Sequence, residues 1–346
     1  MSRAMRQANL VVPEQFVVEE VAIPEPGKAE VRIAVISCAI CGSDIHAFHG
    51  EHPFMPAPLV MGHEFSGVVD ALGPGVTGLE VGARAIVEPG LVCGECEQCL
   101  GGRYNICENL KVIGCQSAGA FADYITVPAR NVLPLPATMS FEQGAMVEPL
   151  AVAVHALRRA DLSRAKRVLV VGAGPIGLLT AWTAVAWGIP EVIVTDVVDY
   201  RLTIARELGA TYAVNVKESS PTKFFSERYG KPNAVDVVME CVGSEATLAQ
   251  AIDSVKKGGQ IVIVGVPSRD PRIRLSWVQD RELEIIGTLM YMRGDFEEAI
   301  RLISSGQVRP ERLISTRYPL NRIAEAMDDL LANRDSTIKT LITIRG

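Results

Sequence analysis

The sequence predicts an α/β protein in which a β-rich first part precedes a doubly wound parallel sheet. From residue 167 onward, continuous apolar strands alternate with helical segments, a pattern typical of a parallel sheet covered on both faces. Before residue 145 the chain instead carries short strand-like runs separated by Gly and Pro. Because 346 residues exceed what one hydrophobic core usually serves, we expect about two domains.

The individual elements follow from local patterning. The β-rich part has strand-like runs at 16–23, 30–40, 65–72, 83–88 and 121–127. A helix is predicted at 148–160, where Pro149 suits a first helical turn. The alternating part contains strands at 167–172, 191–196, 234–243 and 260–267, and helices at 174–188, 198–210 and 245–256. The tail adds helices at 296–305 and 323–333 and strands near 317–320 and 341–344.

Composition and charge exclude several classes of protein. The chain carries 40 carboxylates against 34 Lys and Arg, so nothing favours nucleic-acid binding. Its longest uncharged run, 168–190, has the length of a membrane span, but Gly172, Gly174, Pro175 and Gly177 would break a spanning helix. The N-terminus lacks an apolar stretch of signal-peptide length, so we expect a cytoplasmic protein with no membrane association.

A glycine-rich turn predicts a dinucleotide site. Gly172, Gly174 and Gly177 form G-x-G-x-x-G between an apolar strand and a helix. The first glycine permits the tight turn, the second lets a pyrophosphate approach the backbone, and the third lets the helix approach the strand. The helix N-terminus then offers free N–H groups to the phosphates. The alternative is a nucleotide-free α/β domain whose glycines only make a turn.

An acidic residue at the end of the next strand favours NAD over NADP. Asp196 lies 19 residues beyond Gly177 and can accept hydrogen bonds from the adenosine ribose. The same carboxylate would repel a 2′-phosphate. Arg201 could pair with that phosphate, and with Asp196 in place we interpret it as a lesser contact.

Clustered cysteines predict a structural zinc site. Cys93, Cys96, Cys99 and Cys107 have the spacing C-x2-C-x2-C-x7-C, and four thiolates complete a tetrahedral Zn²⁺ with no open position. In a chain that is not secreted, clustered cysteines favour metal over disulfides. Two disulfides, or unrelated buried cysteines, are the alternatives.

Separate short segments supply the residue types of a catalytic zinc site. Cys41, His63 and Glu64 would provide three ligands and leave one position for water or substrate. Glu148 opens the helix at 148–160, and its alternative role is that of a carboxylate stabilised by the helix dipole. Periodicity alone does not bring residues 41, 63 and 148 together.

These segments, in this order, resemble the zinc-containing medium-chain alcohol dehydrogenases. The matching motifs are CGSDIH, GHEFSGVV, CGECEQCLGGRYNIC, GAFADYITVP, EPLAVAVHAL and VLVVGAGPIG. The resemblance implies a discontinuous GroES-like catalytic domain, 1–148 and 288–346, with a structural-zinc lobe at about 89–111. A Rossmann NAD-binding domain, 149–287, would interrupt it. A Glu at position 148 resembles the polyol (sorbitol), threonine and butanediol dehydrogenase branch.

The resemblance also implies a role for each site residue. Cys41, His63 and Glu64 fall on the catalytic-zinc positions, and Glu148 binds zinc directly or through water. Zinc acts as a Lewis acid on the alcohol oxygen, and hydride passes to NAD. The proton passes from the substrate to Ser43, through the cofactor ribose, to His46 and solvent. Pro175, Ile176, Val242 and Val266 join the glycines, Asp196 and Arg201 as predicted cofactor contacts. His49, His52 and His155 are interpreted as packing or surface residues.

The predicted activity is the oxidation of a secondary alcohol or polyol to its ketone, with NAD and two zinc ions per chain. L-threonine 3-dehydrogenase and 2,3-butanediol dehydrogenase are alternatives, and a zinc-structured NAD-binding redox sensor is the non-enzyme alternative. Ala47 and Met290 replace a Tyr and an Arg of the sorbitol dehydrogenase pattern, which argues against sorbitol itself. Phe54 and Tyr291 are the predicted substrate contacts, and the resemblance implies a homotetramer.

Overall fold

The chain leaves its first structural unit once and returns to it near the C-terminus. In the computed structural model, which describes residues 4–267 and 269–345, the first unit runs to Glu148 and resumes at Met292. The second unit is Pro149–Tyr291. The second crossing therefore lies a few residues later than the boundary at 287 and 288 expected from the sequence.

The first unit is built mainly from strands. Its part before Glu148 contains α1 (Gly42–Phe48), α2 (Glu97–Leu100) and α3 (Phe141–Ala145). Its strands are β1 (Ala4–Val12), β2 (Gln15–Ala22), β3 (Glu30–Ala39), β4 (Leu59–Val60), β5 (Glu64–Leu72), β6 (Arg84–Val87), β7 (Gly90–Leu91), β8 (Lys111–Val112), β9 (Tyr124–Pro128) and β10 (Val132–Pro134).

The second unit alternates strands and helices. α4 (Val147–Arg158) leads into it from the first unit. Then follow β11 (Arg167–Val171), α5 (Pro175–Ala186), β12 (Glu191–Asp196), α6 (Asp199–Glu207), β13 (Tyr212–Asn215), α7 (Pro221–Tyr229), β14 (Val235–Glu240), α8 (Glu245–Ser254), β15 (Val255–Ile263), α9 (Leu275–Asp280) and β16 (Glu284–Gly287).

The strands of the second unit form the predicted parallel sheet. Their order is β13-β12-β11-β14-β15-β16, and every pairing is parallel. The central strands are largely buried on both faces, and most of their side chains are Val, Ile, Leu or Met. The uncharged run 168–190 is accordingly a buried strand, a turn and a helix. Among the described residues, no helix is long and apolar enough to cross a membrane.

The tail completes the main sheet of the first unit. It contains α10 (Arg293–Ser304), β17 (Ile314–Pro319), α11 (Ile323–Ala332) and β18 (Lys339–Thr343). β18 pairs antiparallel with β3, placing Ile342 opposite Cys38, and β17 lies parallel on its other side. The resulting order is β10-β6-β5-β3-β18-β17, with β9 also paired to β3. This sheet therefore joins sequence segments from both ends of the chain.

Several elements fall outside the sequence predictions, among them β1 and α7. β1 pairs with β2 and β4, and its buried residues Ala8 and Leu10 alternate with more exposed ones, a period-2 signal within a short and polar segment. α7 begins at a Ser220 N-cap with Pro221 in its first turn. The alternating pattern of β1 and the N-cap of α7 are local sequence signals, but neither segment is among the predicted strands and helices.

A core truncation tests the assignment of the parallel sheet. Leu169 of β11 has no exposed surface, so Leu169→Ala should destabilise the second unit by about 2–5 kcal/mol. Leu100 is 76% exposed, so Leu100→Ala should change stability by about 0.5 kcal/mol or less. Calorimetric unfolding of both variants measures the difference. Equal transition temperatures would contradict the placement of β11.

Candidate active site

The four clustered cysteines converge in a loop next to α2. Their sulfur atoms all lie within 4.8 Å of one another. The Cys93 to Cys99 and Cys96 to Cys107 separations are both 3.9 Å, and Cys93 to Cys107 is 3.5 Å. A tetrahedral Zn²⁺ with bonds of about 2.3 Å places its sulfur ligands roughly 3.8 Å apart. The sulfur positions therefore fit one zinc ion with no open coordination position, and all four cysteines are free of disulfides.

Backbone amides around this loop favour thiolates. The amide of Cys96 donates to the Cys93 sulfur, and the amides of Cys93 and Asn109 donate to the Cys107 sulfur, each at 3.4 Å. Hydrogen bonds from the backbone at Glu95 and Cys96 lower the pKa of Cys93 to about 6. Because a thiolate is the form that binds metal, these backbone donors favour metal binding by Cys93, whereas burial raises the pKa of Cys99.

A second cluster contains Cys41, His63 and Glu64, whose ligand atoms also lie within 4.8 Å of one another. Cys41 is the N-cap of α1, and its own amide donates to Asp44 Oδ2 at 2.9 Å. This local loop sets Cys41 directly beyond the end of β3. The cluster offers one thiolate, one imidazole and one carboxylate, a donor set that suits a catalytic zinc with an open position.

His63 follows Gly62 and lies near the buried side chain of Asp44. Gly62, which precedes His63, has φ +98°, and a Cβ there would meet Cys38 Sγ and the Phe121 amide at 2.9 Å, so only glycine fits at this position. His63 Nδ1 lies 3.8 Å from the fully buried Asp44 Oδ1. Burial disfavours the charged ring, but the charges of Asp44 and Cys41 raise the pKa of His63 well above its usual value. Asp44 therefore lies on the Nδ1 side of the ring, and among the described residues neither His63 Nδ1 nor Asp44 Oδ1 has a hydrogen-bond partner.

Glu64 forms an ion pair with Lys339, which lies on β18. Lys339 Nζ lies 2.7 Å from Glu64 Oε1 and 2.6 Å from Oε2, and both side chains are at most 3% exposed. The Lys339 pKa is raised: burial lowers it, and the charges of Glu64 and Cys41 outweigh that effect. The ion pair offsets the cost of burying the Glu64 carboxylate next to Cys41.

Glu148 is buried near this cluster but does not join it. It is 7% exposed, and its charge acts on Lys339. Its carboxylate is not among the ligand atoms that lie within 4.8 Å of one another. Direct ligation by Glu148 and its contact through a water molecule both remain predictions.

The other residues predicted for catalysis and substrate contact differ in exposure. Ser43 is half-buried and His46 is exposed, both on α1, and His46 Nδ1 lies 3.5 Å from Glu51 Oε2. Phe54 is 68% exposed on the loop after α1, whereas Tyr291 is 2% exposed. The relay through Ser43 and His46 and the substrate roles of Phe54 and Tyr291 remain predictions.

The glycine-rich turn of the second unit has the geometry its spacing predicts. Gly172 has φ +96°, and a Cβ on Gly177 would lie 1.8 Å from the Gly172 carbonyl oxygen, which explains the close approach of α5 to β11. Gly174 is the N-cap of α5, and Pro175 is its first residue. Asp196 Oδ2 accepts from the Ala173 amide at 2.6 Å, so this carboxylate also holds the turn in place.

A cavity of about 360 Å³ opens beside this turn. Predicted cofactor residues that line it are Gly172, Gly174, Asp196, Arg201 and Val242. Pro175, Ile176, Gly177 and Val266 are not among its lining residues, and Val266 is 85% exposed. The cavity thus has glycines, a helix N-terminus and a carboxylate in the arrangement that binds a dinucleotide.

Three further residues around the second cluster had no assigned role in the sequence. Asp44 and Lys339 are described above, and the Cys115 thiol lies beside the His63 ring, where burial raises its pKa. Asp44 had a local signal, since a carboxylate three residues after an N-cap completes a capping box. Lys339 and Cys115 had none, because their contacts are made only by the fold.

Comparison with known proteins gives consistent matches. Residues 27–137 match the model of the alcohol dehydrogenase GroES-like domain, and residues 175–305 match that of the zinc-binding dehydrogenases. Sorbitol dehydrogenase of Bacillus subtilis is 32% identical over 343 residues, covering 98% of this chain and 97% of the relative. The 2-dehydro-3-deoxy-L-galactonate 5-dehydrogenase of Pseudoalteromonas atlantica is 39% identical over 330 residues, covering 95% and 96%. An alcohol dehydrogenase of E. coli complexed with NADH superimposes with a TM-score of 0.93 at 31% identity, covering 99% of both chains.

Zinc content tests the two metal sites separately. The purified chain should contain two zinc ions, measured by inductively coupled plasma mass spectrometry. Cys41→Ser should lose the ion of the open site, and Cys99→Ser should lose the ion of the four-cysteine loop. One zinc in the parent chain, or two in either variant, would count against the assignment.

Removal of Lys339 tests the buried ion pair. Lys339→Met leaves Glu64 buried without its partner and should destabilise the zinc-free protein by about 3–5 kcal/mol. Added zinc should recover much of this loss, since the metal supplies positive charge. Lys257→Met, which removes an exposed lysine, is the control in thermal unfolding. An unchanged transition temperature for Lys339→Met would show that Glu64 does not need Lys339.

Proposed function

This chain belongs to the zinc-containing medium-chain alcohol dehydrogenases, and we propose on that basis that it transfers hydride between NAD(H) and a secondary alcohol or polyol and its ketone. The observation that carries the proposal is the convergence of Cys41, His63 and Glu64. These three residues form an open donor set, separate from the closed four-cysteine site. A purely structural zinc protein needs only the closed site.

Each residue of the open site then has a chemical task. A bound zinc supplies Lewis acidity to the alcohol oxygen of the substrate. Cys41, His63 and Glu64 would hold the metal, Lys339 balances the charge of Glu64, and Glu148 acts on the site from outside the ligand cluster. Ser43 accepts the hydroxyl proton of the substrate, and the exposed His46 passes it to solvent.

NAD is the proposed cofactor. The Asp196 carboxylate ends β12 and lines the cavity beside the glycine-rich turn. A carboxylate there accepts hydrogen bonds from ribose hydroxyls and repels a 2′-phosphate. The NADH complex of the E. coli relative supports the same choice.

The proposed substrate class rests on the relatives and on two positions at which this sequence differs from the sorbitol dehydrogenase pattern. The two relatives carry names of enzymes acting on sorbitol and on 2-dehydro-3-deoxy-L-galactonate, both oxygen-rich. Ala47 and Met290 supply none of the donors expected in the sorbitol dehydrogenase pattern. A less extensively hydroxylated secondary alcohol or diol is therefore the proposed substrate. We further propose a homotetramer acting in the cytoplasm.

A substrate panel tests the proposed function. NADH formation at 340 nm should appear with at least one of 2,3-butanediol, L-threonine, sorbitol or a simple secondary alcohol, and NADP should replace NAD poorly. Cys41→Ser should lower turnover by about 10²-fold or more, because the open site loses a ligand. Its four-cysteine zinc and its thermal stability should persist. Absence of turnover with every substrate, or full turnover in Cys41→Ser, would contradict the proposal.

A further inference from the structure

We propose that His52 binds the substrate by donating a hydrogen bond from Nε2 to a second hydroxyl, next to the one that is oxidised. The inference rests on the proposed function and narrows it to vicinal diols and polyols. From the sequence alone, His52 is interpreted as a packing or surface residue. The hydrogen bonds of its loop give it a more specific role.

The loop after α1 fixes the chemical form of the His52 ring. The Phe54 amide donates to His52 Nδ1 at 3.2 Å, so Nδ1 is an acceptor and the proton of the neutral ring lies on Nε2. The Phe54 ring stands edge-on to the imidazole, with centroids 6.3 Å apart and an interplanar angle of 69°. The Phe54 amide therefore contacts the Nδ1 edge of the imidazole, and the Phe54 ring packs next to it.

A glutamine braces this loop against the next segment of the unit. Gln116 Nε2 donates to the Phe54 carbonyl at 3.1 Å, and Gln116 Oε1 accepts from the Val112 amide at 2.9 Å. These two hydrogen bonds connect the turn that carries His52 to β8 through Gln116, the residue that follows Cys115. This bracing reduces the rotamer freedom that substrate binding would otherwise have to freeze.

The loop that carries His52 is linked to the open site through Gln116, since the preceding residue, Cys115, lies beside the His63 ring. Burial lowers the pKa of His52, and the nearby charges of His46 and His63 lower it further. The ring is therefore neutral at neutral pH and carries one N–H donor. Within the described part of the chain, that N–H has no hydrogen-bond acceptor. A donor that is half-buried, fixed in tautomer and unsatisfied by the fold is suited to a ligand oxygen.

The neutral state of the His52 imidazole favours one kind of substrate oxygen over another. A neutral N–H suits a hydroxyl, whereas a carboxylate is better matched by a guanidinium or an ammonium group. Ala47 has no polar side chain with which to hold a second hydroxyl. His52 supplies a hydrogen-bond donor that Ala47 does not. We therefore expect the Nε2 proton of His52 to bind the substrate hydroxyl on the carbon next to the one that is oxidised.

The test compares two alcohols that differ by one hydroxyl. In the zinc-loaded enzyme with NAD, His52→Ala should lower kcat/KM for 2,3-butanediol about tenfold, mainly through KM, as expected for one lost hydrogen bond. For 2-butanol, kcat/KM should stay within about twofold. His52→Gln, whose amide N–H replaces the Nε2 donor, should restore much of the loss. His49→Ala, which removes a neighbouring imidazole paired with Glu14, is the matched control.

A spectroscopic readout separates this inference from the proposed function. In protein labelled with ¹⁵N-histidine, the His52 signals should report protonated Nε2 and unprotonated Nδ1. The Nε2 signal should shift on addition of 2,3-butanediol to the NADH complex and not on addition of 2-butanol. An Nε2 signal insensitive to the diol, or equal losses of activity on both alcohols in His52→Ala, overturns the role of His52. Turnover of neither alcohol by the parent enzyme, with the Nε2 shift present, counts against the proposed function alone.

Discussion

The buried ion pair of Glu64 and Lys339 is the constraint on which the rest of the first unit depends. A carboxylate beside a thiolate and a second buried acid is strongly disfavoured away from water unless a cation compensates it. That cation comes from β18, 275 residues further along the chain, at 2.6 Å. The tail must therefore return to the first unit and pair with β3, and the parallel-sheet unit is an insertion between the two parts.

The same sheet brings the other ligands together. Cys41 follows the end of β3, and Glu64 opens β5, directly opposite Ala39 of β3. The register of one antiparallel pair thus brings two short motifs, 22 positions apart in the sequence, within ligand distance. Capping of α1 by Asp44 and the left-handed Gly62 then set the directions of Cys41 and His63.

The sequence predicts features whose chemistry is local. Four cysteines within 15 residues, the glycine turn before α5 and Asp196 at the end of β12 are all recognisable from spacing, and the structure gives them the expected geometry. The open site needed a family resemblance, because no periodicity joins residues 41 and 63. Lys339, Cys115 and the bracing of His52 by Gln116 were not predictable, since each contact depends on long-range packing.

The central claim is that the fold builds one closed and one open zinc site in the same unit. Anomalous diffraction measured on both sides of the zinc absorption edge, from crystals of the enzyme, locates the metal directly. We expect two zinc peaks per chain, one among Cys93, Cys96, Cys99 and Cys107 and one in contact with Cys41 and His63. A single peak, or a second peak away from Cys41 and His63, would contradict this claim.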